Sequence, residues 1–277
     1  MTPIPYNASA EALFFPCKNA TFFPDGLPAS EALLCAEMSR LAYCKAEASP
    51  AEEARVRGIL TAIGFTECTF FSRKSTQGFL ARSASRGVLA FRGTEATDPR
   101  DAITDARVKL EPWDSGRVHS GFKDAIKDVW TDVQAALKDC SRPLLFTGHS
   151  LGAALATLAA SRHRPRALST FGSPRVGDAA FTAMLQGLDV QRYRDCCDAV
   201  PVLPPEILGY AHAGTLQYAD RNGRIVTNPS DKEILRDQWR AHVDYALKYI
   251  WRWGNMWNRA LADHAPINYV SALAGRA

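Results

Sequence analysis

A serine at position 150 lies between two glycines in the segment TGHSLGAALATLAA, residues 147–160. A serine hydroxyl is a weak nucleophile near neutral pH, and it attacks a carbonyl carbon only when a neighbouring base takes its proton. The spacing G-x-S-x-G is typical of a sharp strand-to-helix turn that holds the serine oxygen at the helix N-terminus. Gly148 and Gly152 carry no side chain, so strand and helix can approach closely. The pattern favours Ser150 as a nucleophile over Ser150 as a simple helix cap.

Such a nucleophile needs a histidine as its base, and the chain contains six. In folds with this turn the partners follow in the order serine, carboxylate, histidine. Four histidines come too early or lie in predicted helical segments: His119, His149, His163 and His242. His264, in ADHAPINYV, follows a predicted helix near the end of the chain and is the favoured base. His212, in GYAHAG, is the alternative, and its other interpretation is a buried histidine held by hydrogen bonds.

The base in turn needs a carboxylate that orients its ring. The segment RYRDCCDAVPVLPP offers Asp195 and Asp198 after a predicted strand. Loops at the carboxyl ends of parallel strands carry the ligand sites of open α/β sheets. Asp198 lies just beyond the strand, before a proline-bounded turn, and is favoured. Asp195 is more typical of a local turn or cap residue.

The segments that position these residues alternate between strand and helix. Short apolar runs bounded by turn residues predict strands at 78–83, 87–93, 143–148, 167–172 and 190–195. Apolar residues at every third or fourth position predict helices at 30–44, 122–140, 151–164 and 231–253. This alternation predicts an α/β fold with a mostly parallel sheet and helices on both faces. No linker interrupts the chain, so residues 1–277 are expected to form one domain.

Composition excludes several other classes of protein. With 47 % apolar and 22 % charged residues the chain is of the ordinary globular type. The net charge of +4 is mild, and the densest basic cluster, at 162–166, suits a helix C-terminus better than a nucleic acid. Apolar runs are too short for a membrane-spanning helix, which needs about 18 residues.

The cysteines and the N-terminus bear on the compartment. Seven scattered cysteines without a CxxC spacing argue against structural zinc and suggest mostly reduced thiols, with one or two disulfides left open. The first 20 residues do not match a secretory signal. Localisation therefore stays open between the cytoplasm and secretion with a signal already removed.

Several blocks together resemble the class 3 lipases, the α/β-hydrolases that include fungal triacylglycerol lipases and feruloyl esterases. The resemblance covers about 30–270 and rests on VLAFRGTE, FTGHSLGAALA, TFGSPRVGD, DAVPVLPP, GYAHAG and DHAPINYV. It implies Ser150 as nucleophile, Asp198 and His264 as its partners, and no metal or cofactor. It also implies that Leu151 and Thr94 hold the oxyanion, although Thr94 has the alternative interpretation of an ordinary turn residue.

In that family the segment after the threonine forms a lid, here EATDPRDAITD at 95–105. Its charged residues are Glu95, Asp98, Arg100, Asp101 and Asp105, and Ile103 is its only large apolar residue. Such a polar lid argues against strong activation at an oil surface. The expected function is a serine carboxylic ester hydrolase acting on acylglycerols or related esters, with a lipid–water interface as a second partner. The alternatives are a feruloyl esterase, a phospholipase A1 or a non-catalytic lipid-binding protein, and the oligomeric state stays open.

Tryptophan is concentrated near the end of the chain, at positions 239, 251, 253 and 257. Tryptophan together with arginine suits a water–lipid boundary. One hypothesis is that Trp251, Trp253 and Trp257 wall the acyl pocket or contact lipid. The alternative is a helix packed on the core.

Overall fold

The computed structural model describes residues 3–94 and 109–276. The strands are β1 Glu67–Arg73, β2 Thr76–Arg82, β3 Gly87–Phe91, β4 Leu110–Pro112, β5 Arg117–His119, β6 Leu144–His149, β7 Ala167–Phe171, β8 Asp189–Asp195, β9 Thr215–Ala219 and β10 Ile225–Thr227. The helices are α1 Ala10–Phe14, α2 Glu31–Leu41, α3 Pro50–Ala62, α4 Ser120–Lys138, α5 Leu151–Arg162, α6 Ala179–Ala183, α7 Asp231–Lys248, α8 Arg259–Ala262 and α9 Pro266–Ala274.

One sheet carries the site, with the strand order β1-β2-β3-β6-β7-β8-β9-β10. The four central pairings, from β3 to β9, are parallel, whereas the pairings at both edges are antiparallel. The predicted α/β fold with a mostly parallel sheet is therefore confirmed. Strands β4 and β5 form a separate two-stranded ribbon.

Helices cover both faces of this sheet because its strands are apolar on both sides. Along β3, Val88 and Ala90 join one buried cluster and Leu89 and Phe91 join the other, as the two-residue period of a strand requires. Helices α2, α3 and α9 pack on the first face, and α4 and α5 pack on the second. The centre of the sheet, where β6 lies, is thus shielded from water on both sides.

The end of helix α7 differs from the prediction. The sequence predicts a helix to 253, whereas the helix ends at Lys248. Residues beyond it pair with the N-terminal segment instead: the Ala10 N–H donates to the Gly254 carbonyl, and the Met256 N–H donates to the Ala8 carbonyl. A helix through residue 253 could not make these bonds, and residues 249–257 instead form turns joined to the N-terminal segment by an isolated bridge between Ser9 and Asn255. Among the described residues, no helix is long and apolar enough to cross a bilayer.

The cysteines divide into one bridge and five thiols. Cys17 and Cys44 form a disulfide, and the other five cysteines are free. The expectation of mostly reduced thiols therefore holds for five of the seven. Stable disulfides form mainly in oxidising compartments, so the bridge argues against the reducing compartment that the thiols suggest.

Candidate active site

The turn that carries Ser150 is the one that the glycine spacing predicts. Strand β6 ends at His149, helix α5 begins at Leu151, and Ser150 between them adopts φ 57° and ψ −128°. A positive φ is strained for a residue other than glycine, and such strain concentrates at functional sites. The Ser150 N–H donates to the Phe171 carbonyl at 2.9 Å, which ties the turn to β7.

Close backbone contact explains both glycines of the motif. A Cβ on Gly148 would lie 2.2 Å from the backbone carbon and oxygen of Gly152. A Cβ on Gly152 would lie 2.2 Å from the carbonyl oxygen of Phe91, on the neighbouring strand. Any side chain at either position would therefore push the helix away from the sheet and move the serine.

The structure brings Ser150, His264 and Asp198 into one hydrogen-bonded chain. His264 Nε2 lies 3.0 Å from Ser150 Oγ, and His264 Nδ1 lies 2.8 Å from Asp198 Oδ2. All three side chains are buried. A carboxylate only accepts hydrogen bonds, so the Nδ1–H of the neutral ring donates to Asp198 and Nε2 accepts from the serine hydroxyl. This arrangement can remove the serine proton and leave the resulting imidazolium beside a carboxylate.

Asp198 has two further donors, of which Tyr269 was not anticipated from the sequence. The Val200 N–H donates to Oδ1 at 2.9 Å, and the Tyr269 hydroxyl donates to Oδ2 at 2.5 Å. Burial raises the pKa of Tyr269 well above its ordinary value of 10.0, and the Asp198 charge raises it further. The phenol therefore keeps its proton and stays a donor. Tyr269 lies in the block DHAPINYV, but no pattern in that block shows where the phenol points.

His149 is not the base of the triad but joins two other parts of the site through its ring nitrogens. Its Nε2 lies 2.8 Å from the His264 carbonyl, and its Nδ1 lies 2.8 Å from the Tyr43 hydroxyl. Because a carbonyl only accepts, Nε2 carries the proton and Nδ1 accepts from Tyr43. The ring thus connects the nucleophile turn to the backbone of the proposed base. Burial lowers the pKa of His149 well below its ordinary value of 6.5, and the neighbouring His264 lowers it further.

We expect His149 to make the fold sensitive to acid. The pKa of His149 in the folded chain lies below the unfolded value of 6.5. Below pH 6.5 the unfolded chain therefore binds a proton at His149, whereas the folded chain does not. The free energy of unfolding then falls as pH drops, by up to about 1.4 kcal/mol per pH unit from this one group. In urea titrations between neutral and acidic pH, His149→Gln should lose that part of the slope, whereas Tyr43→Phe should keep it. An unchanged slope in His149→Gln would contradict the assignment.

Gly172 occupies the space between the carboxylate and the imidazole. It has φ +58°, and a Cβ there would lie 2.8 Å from Asp198 Oδ2 and 3.0 Å from His264 Nδ1. The position thus demands glycine both for its backbone conformation and for its side-chain space.

Replacing Gly172 by alanine should therefore displace the Asp198–His264 pair. We expect kcat on a soluble ester to fall about 100-fold, since small misplacements of reacting groups cost that much. Gly64→Ala is the matched control, because Gly64 has φ +85° with nothing within 4 Å of the added Cβ. It should lower the melting temperature through backbone strain and leave kcat unchanged. Equal kcat losses in both variants would refute the steric explanation.

The two predicted oxyanion donors lie at the ends of β3 and β6. Leu151 is the first residue of α5, and the N–H groups of a first helical turn have no partner within the helix. Thr94 is half-buried and follows Gly93. A Cβ added to Gly93 would lie 2.7 Å from the His149 carbonyl oxygen. The Thr94 segment therefore passes beside the serine turn. The predicted lid at 95–105 lies outside the described residues.

The two alternatives weighed from the sequence have other partners. His212 Nε2 bonds to the Pro201 carbonyl at 2.7 Å, and burial together with Arg192 lowers the pKa of His212 well below 6.5. Asp195 accepts from Arg276 at 2.6 Å. His212 is therefore a hydrogen-bonded histidine, as its other interpretation expects, although its side chain is only partly buried.

One cluster in the described part of the chain has the residue types of a metal site: Cys196, Cys197 and Asp263. Asp263 Oδ2 already accepts from the Cys197 N–H and from Arg259, at 2.9 and 3.0 Å. Its carboxylate is thus used to position the loop before His264 and is poorly placed to bind a cation.

Comparison with known proteins points to one family. Residues 88–208 match the sequence model for Lipase (class 3), a range that includes Ser150 and Asp198 and ends before His264. The chain is 34 % identical to a lipase of Rhizopus niveus over 168 residues, which are 53 % of this chain and 42 % of the relative. It is 31 % identical over 200 residues to the secreted mono- and diacylglycerol lipase A of Penicillium cyclopium, covering 66 % of this chain and 64 % of the relative. The chain thus spans 42 % to 64 % of the length of these two relatives.

A solved structure agrees with the sequence matches. It is a triacylglycerol lipase described as having a catalytic centre formed by a serine protease triad. It superposes with a TM-score of 0.55 at 26 % identity, over 69 % of this chain and 80 % of that chain.

Proposed function

Because the chain belongs to the class 3 lipase family, we propose that it is a serine carboxylic ester hydrolase that cleaves acylglycerols or related esters through an acyl-enzyme. The observation that carries the proposal is the hydrogen-bonded chain from Ser150 through His264 to Asp198. It starts at a strained turn whose glycines tolerate no side chain. The relatives named as lipases support the same chemistry.

In the first half of the reaction His264 Nε2 takes the hydroxyl proton while Ser150 Oγ attacks the ester carbonyl. Asp198 holds the ring in the tautomer that leaves Nε2 free and stabilises the imidazolium. Negative charge develops on the carbonyl oxygen, and the N–H groups of Leu151 and Thr94 are the proposed donors to it. Each such donor typically lowers the barrier by about 3 kcal/mol. His264 then returns the proton to the departing alcohol.

The second half repeats these steps with water. His264 takes a proton from water, the hydroxide attacks the acyl-enzyme, and the same two N–H groups hold the oxyanion. Transfer of the proton to Ser150 Oγ releases the carboxylic acid. In this proposal the triad and the two N–H groups perform both halves of the reaction, and neither half requires a metal or a cofactor.

A rate series on p-nitrophenyl esters of increasing acyl length, beside emulsified triglyceride, tests the proposal and narrows the substrate. The polar lid sequence leads us to expect a peak at short chains and no jump in rate at the emulsion surface. Long-chain preference with such a jump would instead indicate a lipase activated at interfaces. Feruloyl esters added to the series test the feruloyl esterase alternative, and phosphatidylcholine tests the phospholipase A1 alternative. Absence of turnover on every ester would refute the proposal.

We also propose that the enzyme is secreted. The Cys17–Cys44 disulfide supports this location, and the Penicillium relative is named as secreted. Thiol titration of the denatured enzyme recovered from culture medium should detect five thiols before reduction and seven after it. Seven thiols before reduction would remove the structural support.

A further inference from the structure

Helix α7 has two apolar sides, and only one of them packs against the protein. Ile234, Ala241 and Tyr245 are buried. On the other side, four apolar residues spaced four apart form an exposed stripe: Leu235, Trp239, Val243 and Leu247. Trp239 and Leu247 are 70 % and 75 % exposed. An exposed apolar stripe of this kind indicates an interaction site.

The turns after the helix add three more exposed tryptophans. Trp251, Trp253 and Trp257 are 86 %, 104 % and 68 % exposed. These three indoles therefore lie outside the packed core, although helix α7 itself packs on it through Ile234 and Ala241. That the tryptophans wall an acyl pocket stays a prediction. The exposed apolar residues from 235 to 257 are called the α7 surface below.

Positive charges predominate around the α7 surface. Four exposed cations flank it: Lys232, Arg236, Arg240 and Arg252. Within the described residues no carboxylate lies within 4.0 Å of any of them. Three of the four acidic residues of α7 are engaged elsewhere: Glu233 caps the first turn, Asp237 accepts from Tyr218, and Asp244 pairs with Arg221. The fourth, Asp231, is exposed at the first residue of the helix. The outward side of the helix is therefore apolar and cationic together.

This combination identifies the occupant. Amphipathic helices with tryptophan and leucine on one side and lysine or arginine beside them bind lipid–water interfaces and prefer anionic lipid. A second copy of the chain fits poorly, because a two-fold contact places the same patch on both subunits and would face cations with cations. A stable protein partner fits less well too, since the cores of protein interfaces are depleted in lysine and other charges.

The α7 surface is firmly connected to the segments that carry the proposed acid and base. Gln238 of α7 donates to the Cys196 carbonyl at 2.7 Å, two residues before Asp198. Arg259, five residues before His264, donates to the Ala241 carbonyl of α7 at 3.1 Å. The Tyr245 hydroxyl donates to the Met256 carbonyl at 2.7 Å and fixes the turns after the helix. Contact at α7 would therefore hold the catalytic segments at a constant position relative to the lipid.

We infer that the α7 surface is the site by which this enzyme adsorbs to an anionic lipid–water interface. The inference deepens the proposed function and rests on it, because the interface would supply the ester. Adsorption itself needs no turnover, so the two can be tested separately. It also gives a hydrolase whose predicted lid is polar a means of reaching lipid through another surface.

The test measures binding to sucrose-loaded vesicles in the Ser150→Ala background, where lipid is not consumed. Vesicles of phosphatidylcholine with and without phosphatidylglycerol are compared at low and high salt. Binding should favour phosphatidylglycerol and weaken with salt. Trp239→Ser/Leu247→Ser should lower affinity by about 10-fold or more, since each buried side chain contributes strongly. Arg236→Gln/Arg240→Gln should lower it by about 5-fold per cation, and only on phosphatidylglycerol.

The matched control removes two exposed apolar side chains outside α7. Phe15 and Leu27 are 52 % and 51 % exposed, and Phe15→Ser/Leu27→Ser should bind vesicles like the parent. Circular dichroism of every variant, and the rate of each on a soluble ester with Ser150 restored, show whether the fold and the active site are intact.

Three results would overturn the inference: no vesicle binding by the parent, equal losses in the α7 and control variants, or a dimer that dissociates in Trp239→Ser/Leu247→Ser. Vesicle binding without hydrolysis of any ester would refute the proposed function alone. Hydrolysis of soluble esters without vesicle binding would refute the docking site alone.

Discussion

Replacing Ser150 by alanine is expected to lower kcat on a soluble ester by about 10⁶-fold, while KM changes by less than about threefold. The hydroxyl contributes to catalysis only by forming the acyl-enzyme, so its loss removes the covalent route and spares most ground-state contacts. Whatever turnover remains would come from the oxyanion donors and from binding, which alone accelerate the reaction by about 10³-fold or more over water. The variant should fold normally, because alanine keeps the Ser150 N–H that donates to Phe171.

A fluorophosphonate provides a second readout that does not depend on choosing the right substrate. It should add one adduct to the parent, on the peptide that contains Ser150, and none to Ser150→Ala. Ser161→Ala is the matched control on the same helix, because the Ser161 hydroxyl donates to the Leu158 carbonyl and lies outside the triad. Labelling of Ser150→Ala, or retention of its activity, would show that another nucleophile acts. An unlabelled parent would favour a non-catalytic lipid-binding protein.

The serine turn was predictable because its determinants are local. Two glycines, an apolar strand and an alanine-rich helix lie within residues 144–162, and the structure has each of them there. The partners of Ser150 could be ranked but not placed. His264 lies 114 residues after the serine it contacts, and Asp198 lies 66 residues before His264. Only the sheet topology brings these segments together.

Side-chain direction explains what sequence reasoning missed. His149 and Tyr43 meet across 106 residues, and Tyr269 turns toward Asp198 from a helix that follows the proposed base. Side-chain direction was also unpredictable for helix α7, because its apolar residues fall on two stripes. Periodicity shows that both stripes exist, but only the packing of Ile234 against the Cys196 region shows which one is buried.

Asp198→Asn is expected to lower kcat by about 10⁴-fold with little change in KM. The reason lies in the donors that surround this carboxylate. Oδ1 accepts from the Val200 N–H, and Oδ2 accepts from Tyr269 and His264. An asparagine keeps one of these acceptors and replaces the other with an NH₂ group.

Either orientation of the amide is unfavourable. With its oxygen toward Val200, the NH₂ group faces His264 Nδ1 and favours the tautomer that carries the proton on Nε2, where the ring can no longer accept the proton of Ser150. With its oxygen toward His264, the NH₂ group faces the Val200 N–H and leaves two donors in contact without an acceptor. The second arrangement loses stability, and the first loses the base.

Tyr269→Phe separates this tautomer effect from the loss of a hydrogen bond. It removes one donor to Asp198 and leaves both oxygens and the bond to His264 in place. Its kcat should fall by only about 10-fold, in line with the loss of one hydrogen bond to a charged group. Fluorophosphonate labelling should slow in the same ratio as kcat in both variants, because both reactions require proton removal from Ser150. Equal losses in Asp198→Asn and Tyr269→Phe would mean that packing around the carboxylate matters more than the tautomer it selects. An Asp198→Asn enzyme close to the parent would mean that His264 reaches the active tautomer without this carboxylate.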